Sequence, residues 1–254
     1  MRIHKDNPRR FEDLPQQVQT ICTSLLDGLR ATIGENLYGV YLHGAMVFAE
    51  TRYTNDIDFC VIVKKSLTAH ENEEIKHLHN KFADEFPPLG AELDGHYILL
   101  EDSRQASAAI NLIGLDILDE WWPLHRAHMI AGYCIILHGS DPRQIFPAPM
   151  WSELVAALEV ERRYIQKHLS EYPSYCVLNL CRLIYSYSME DVVISKQAAA
   201  EWVLNRFPTW GRLVEAAFRV YAREDEEEDR CLLESETERF YEFACDRIEE
   251  SKIK

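Results

Sequence analysis

The stretch Asp56-Ile57-Asp58-Phe59-Cys60-Val61-Ile62-Val63 opens on two acids and closes on an apolar, β-branched run. A run of that length and composition reads as a buried strand. Strand periodicity sends the side chains of Asp56 and Asp58 to one face, at the strand's start. Two carboxylates so placed repel each other, and a hard divalent cation between them relieves the repulsion. Oxygen ligands that leave positions open for water suit magnesium. A triphosphate would supply further oxygens, and a metal pair can activate a hydroxyl and steady a departing pyrophosphate. Asp-x-Asp alone is a common turn feature, so the flanking sequence has to decide.

Upstream, Leu37-Tyr38-Gly39-Val40-Tyr41-Leu42 reads as a second buried strand, followed by His43-Gly44-Ala45. A glycine there lets backbone N–H groups approach a phosphate closely. The thirteen residues from His43 to Asn55 read as a polar connector. Downstream, residues 91–100 form a third expected strand carrying Asp94. A neighbouring strand would present Asp94 beside Asp56 and Asp58, where it could accept a proton from an attacking hydroxyl. Glu92 has the same facing and remains an alternative third carboxylate.

Around this centre, apolar spacing predicts an opening helix over residues 14–30, stopped at Gly34, and a charged helix from Thr68 to Phe86. A further helical stretch runs through Trp121 and Trp122 to about Ile130, and a short strand covers residues 134–138. Beyond Pro149 the periodicity is helical over 151–170, 176–188, 195–206, 210–223 and 232–250. Pro173, Pro208 and the run Glu224 to Asp229 mark the breaks, the acidic run reading as a solvated loop. The expected architecture is α+β: a mixed sheet with flanking helices in residues 1–148, then an all-α bundle in 149–254.

Composition narrows the function. A formal net charge of −15 argues against a general nucleic-acid binder, which needs a basic surface. No apolar run approaches the roughly 20 residues that span a bilayer. The seven cysteines are scattered with no Cys-x-x-Cys pair, which fits free thiols in a reducing, cytoplasmic setting. His125, His128, Cys134 and His138 do not have a dense zinc-ligand spacing and read as structural. Motifs of P-loop proteins and serine hydrolases are absent from the sequence.

The strand, Gly44-Ala45, loop and Asp56-Ile57-Asp58-Phe59 pattern resembles the DNA polymerase β-like nucleotidyltransferase superfamily. Within it, the chain looks like the aminoglycoside adenylyltransferases that modify streptomycin and spectinomycin. The likeness continues through Leu93-Asp94-Gly95-His96, residues 137–146, residues 177–186 and Ser195-Lys196-Gln197, and ends near Tyr221. It implies Asp56 and Asp58 as magnesium ligands and Asp94 as both catalytic base and a member of the metal set. It implies Arg182, Lys196 and Tyr221, with Gly44 and Ala45, as nucleotide contacts, ATP as co-substrate, and a cationic small-molecule acceptor. ATP and magnesium are then expected at the metal-bearing sheet edge, between the two domains. Two positions depart from the family. Ala45 replaces a serine or glycine, and Asp94 is one methylene shorter than the usual glutamate. The family's charged drug-contacting stretch is not reproduced around residues 171–176. Acids in the helical part (Glu159, Glu161, Glu171, Glu190 and Asp191) and Trp121 or Trp122 are the expected lining for a cationic acceptor.

Overall fold

The computed structural model describes residues 8–51, 56–106, 111–113 and 120–253. Its sheet has the strand order β3-β2-β1-β4, with β1 Leu37–Leu42, β2 Ile57–Val63, β3 Leu93–Leu99 and β4 Ile135–His138. β1 runs antiparallel to β2 and to β4, whereas β2 and β3 are parallel, so the sheet is mixed. A parallel pair needs a crossover. Helix α2 (Ala69–Glu85) supplies it, after α1 (Gln16–Ile33) has led into β1.

Local chemistry explains the helix ends. Gly34 caps α1 at φ +49°, where a side chain would be strained. Thr68 and Glu71 form a reciprocal capping box at the start of α2. Leu78 of α2 packs onto α1 at Gly28. One sheet face carries Phe59 and Tyr97 against His79 of α2, whose Nε2 lies 2.9 Å from the Tyr97 hydroxyl. The other face carries Tyr41, Cys60, Ile62 and Ile98 in one apolar cluster with Trp122, Met129, Ile145 and Phe146. Trp122 and Met129 belong to α4 (Trp122–Ile130), which follows the short α3 (Leu100–Ser103).

The connector after β1 is not the polar loop expected. Met46, Val47 and Phe48 are buried, and Phe48 stacks on Tyr133 at 4.6 Å. Residues 52–55 of the same connector lie outside the described residues.

The chain separates into two compact units. One holds the described residues up to Ala49 and from Asp56 to Met150; the other runs from Trp151 onward and includes Glu50 and Thr51. The second unit contains α5 Trp151–Lys167, α6 Pro173–Met189, α7 Lys196–Arg206, α8 Gly211–Ala222 and α9 Glu227–Lys252. α6 is its centre, buried along nearly its whole length. Pro173 starts α6 rather than breaking a helix, at a position where its missing N–H costs nothing.

The acidic run is likewise not wholly a solvated loop. Glu227, Glu228 and Asp229 form the first turn of α9, where negative charge faces the positive helix end. Asp229 is only 6% exposed, and Arg219 of α8 donates to its carboxylate through Nε at 2.9 Å. No helix among the described residues is long and apolar enough to cross a membrane. The cysteines are free thiols, with Cys22, Cys60, Cys176 and Cys181 buried.

Candidate active site

The sheet places the expected carboxylates in one row. Asp58 of β2 is the register partner of Asp94 of β3. In-register residues of parallel strands share a face, with the strands about 4.8 Å apart. Asp56 lies two residues before Asp58, immediately ahead of β2, and the Ile57 N–H donates to the Glu92 carbonyl at 2.9 Å. Pairing thus continues to the mouth of the strand pair, where Glu92 stands two residues before Asp94. Asp94 is exposed, and Asp56 and Asp58 are half-buried.

Gly44 closes the row from the β1 side. The His43 N–H donates to the Asp58 carbonyl at 3.0 Å. Gly44 itself has φ +74° and ψ −154°, and a Cβ built on it would sit 1.6 Å from Asp58 Oδ2. Only glycine satisfies both the backbone and the contact. Ala45 begins a 3-10 turn spanning Ala45–Val47 directly after it.

These residues suit a hard divalent ion. Every acidic donor in the row is a carboxylate, and magnesium binds through one or two carboxylates with the remaining positions left to water and phosphate. Among the described residues no group of three His, Cys, Asp or Glu side chains closes into a metal cage. Asp56, Asp58 and Asp94, expected together as metal ligands, are thus not gathered into a three-ligand group.

Sequence spacing singled out His125 but not His43 or His96, which the fold packs near it. His43 is 1% exposed, with the Phe59 backbone beside its ring. Its ring centroid lies 4.9 Å from that of His125, which is 6.0 Å from His96. Burial, reinforced by His96 and His128, pushes the His43 imidazole down to about 3, so it is neutral near pH 7.

The cations expected from the resemblance lie in the helical unit. Lys196 is the first residue of α7, capped by Ser195. Its Nζ lies 4.6 Å from the Tyr221 ring centre and 5.2 Å from that of Tyr175, and donates to the Tyr221 hydroxyl at 3.3 Å. The structure thus brings Lys196 and Tyr221 together, with Tyr175 beside them. Tyr175 donates to Glu161 at 2.9 Å, and burial together with that carboxylate pushes its phenol well up. Arg182, half-buried on α6, donates to Asn179 at 3.2 Å.

Several residues expected to line an acceptor site are already committed elsewhere. Trp122 is 1% exposed and packs edge-on against Phe146 at 5.4 Å, so it fills the core. Glu159 accepts from Tyr187 at 2.6 Å, Arg162 at 2.8 Å and Lys252 at 2.9 Å. Asp191 accepts from Tyr185 at 3.2 Å and from the Val193 N–H at 2.9 Å. Glu190 ends α6 in a left-handed conformation. Glu171 and Glu190 are exposed, and Glu171 lies 3.9 Å from His168 Nε2.

The Glu159 network carries a pH signature. Burial alone would raise its carboxyl, but hydrogen bonds from Lys252, Tyr187 and Arg162 outweigh it and hold the group at about 2, below its ordinary 4.5. A depressed carboxyl stabilises the fold above its unfolded value and loses that contribution as pH falls through the folded one. Thermal melts of Glu159→Gln and the native chain should therefore differ fully near pH 6. The gap should close between about pH 4.5 and 2. A gap independent of pH would refute this assignment.

Comparisons with known proteins bear on both units. Residues 145–247 match the family model of the aminoglycoside adenylyltransferase C-terminal domain. No curated protein matches the chain. The fold is similar to that of spectinomycin adenyltransferase AAD(9) from Enterococcus faecialis, solved with ATP and spectinomycin. That likeness has a TM-score of 0.70 at 17% identity, and covers 91% of this chain and 98% of the other. At that identity the likeness establishes a shared fold, and the family match establishes the kind of helical domain.

Proposed function

We propose that this chain moves AMP from ATP to a hydroxyl of an aminoglycoside or aminocyclitol, a reading supported by the family match over residues 145–247 and by the shared fold. The observation that carries this reading is the Asp58–Asp94 register pair with Gly44 packed against Asp58. It supports a reading in which Asp58 would take a metal ion, Asp94 beside it would take a proton, and the Gly44 turn would leave room for phosphate.

Asp56 and Asp58 would hold magnesium, with Asp94 on the adjoining strand. Bound there, magnesium would neutralise the triphosphate and stabilise charge on the departing oxygens. Asp94, exposed at the row's end, is the base that takes the proton from the acceptor hydroxyl, whose oxygen then attacks the α-phosphorus. Gly44 and Ala45 offer backbone N–H groups to phosphate oxygens. In the helical unit, Lys196 and Arg182 oppose the charge of pyrophosphate as it leaves, and Tyr221 orients the lysine while contacting the nucleotide. Free thiols throughout favour a reducing compartment, so the cytoplasm is the proposed setting.

A second reading, transfer to a hydroxyl of another kind of molecule, is favoured by the engagement of Glu159, Asp191 and Trp122 within the fold. A panel of aminoglycosides and uncharged polyols with ATP and magnesium separates the two. The first reading expects pyrophosphate release that depends on spectinomycin, streptomycin or a related base, with a product heavier by one AMP. Pyrophosphate release with no adenylated product would sink transferase activity altogether. An adenylated product formed only with uncharged acceptors would select the second reading.

A further inference from the structure

Ser195 has one hydroxyl proton, and the structure shows where it goes. Its Oγ donates to Glu50 Oε1 at 2.5 Å while accepting from the Ala198 N–H at 3.0 Å, as the cap of α7. Ser195 is 4% exposed, so water competes little for either bond. Glu50 arrives from a distant part of the sequence. It follows the Gly44 turn at the end of β1, yet packs with the helical unit, as does Thr51. The residue next to Ser195 is Lys196, whose ammonium lies over the Tyr175 and Tyr221 rings.

We propose that Glu50 is a positioning residue for the nucleotide, acting through Ser195 on Lys196. By taking the only proton of the hydroxyl, the carboxylate turns the oxygen's lone pairs toward Ala198 and fixes the first turn of α7. That turn sets where the Lys196 backbone begins, and so where its ammonium can reach. A carboxylate is suited to the task because a charged acceptor makes roughly twice the bond of a neutral one. Its charge also complements the positive end of the helix. The inference rests on the reading of Lys196 as a phosphate contact.

The test measures binding of magnesium-ATP to the full chain by calorimetry. The proteins compared are Glu50→Ala, Glu50→Gln, Lys196→Met and the double variant Glu50→Ala with Lys196→Met. Glu50→Ala should weaken ATP binding about five- to tenfold, the loss of a helix cap carried into affinity. Glu50→Gln keeps an acceptor oxygen and should recover most of that loss. With Lys196 already replaced, Glu50→Ala should cost nothing more, because the two act in one chain of contacts. If Glu50→Ala binds ATP as the native chain does, or loses the same factor with and without Lys196, the positioning role is overturned. Native-like ATP binding by Lys196→Met would overturn the reading of the lysine as well, and thus identify which claim failed.

Discussion

Asp58→Asn is expected to cut adenylyl transfer about a thousandfold or more without unfolding the protein. The change is isosteric, so the packing of β2 against β1 and β3 is kept. It removes the charge from the middle of the row, between the Gly44 turn and Asp94. Like charges facing each other across strands are destabilising. The variant should therefore fold as the native chain does in the absence of divalent ions. The native chain should gain stability from magnesium with ATP, and the variant should gain much less. That combination separates a metal-binding role from a structural one. A variant that loses activity because it unfolds, or that retains turnover, would contradict the assignment of Asp58.

Gly44→Ala should produce a comparable loss of turnover by a different route. A methyl group at this position would lie 1.6 Å from Asp58 Oδ2 and 2.5 Å from its Cγ. The Asp58 carboxylate must then rotate out of the row or the turn must move. The backbone adds its own cost, since φ +74° with ψ −154° belongs to a region open essentially to glycine. The strain is about 1–3 kcal/mol of stability. Displacement of Asp58 should lower turnover by more than about a hundredfold, since small misplacements at a reacting centre are that costly. Thermal melts and turnover measured on the same preparation check both parts. A variant that loses stability but keeps native turnover would show that Gly44 serves only the fold.

The sheet was legible because its signals are local. The β-branched run after Asp58 and the aromatic run before His43 each specify a buried strand, and Pro87 and Gly34 mark helix ends that α2 and α1 observe to within a residue or two. The neighbourhood of Asp94 and Asp58 could be anticipated, but their register could not, because pairing is fixed by the α2 crossover and by packing on both faces. What spacing does not encode is a partner far along the chain. Glu159 reads as lining for a cationic acceptor until Tyr187 and Lys252 meet it from 28 and 93 residues away. Glu50 meets Ser195 across 145 residues. Nothing in the spacing around His43 signals its burial beside His125. The start of α9 was missed for another reason. Like charges argue for a loop, whereas at a helix N-terminus, with Arg219 beside Asp229, they are favourable.

The most direct measurement of the central claim follows the α-phosphorus. The native chain is incubated with magnesium, spectinomycin or streptomycin, and ATP labelled at either the α- or the γ-phosphorus. α-Label should enter the acceptor, γ-label should leave as pyrophosphate, and Asp58→Asn should stop both. Label entering the acceptor from the γ-position, or α-label transferred equally well by Asp58→Asn, would contradict that claim.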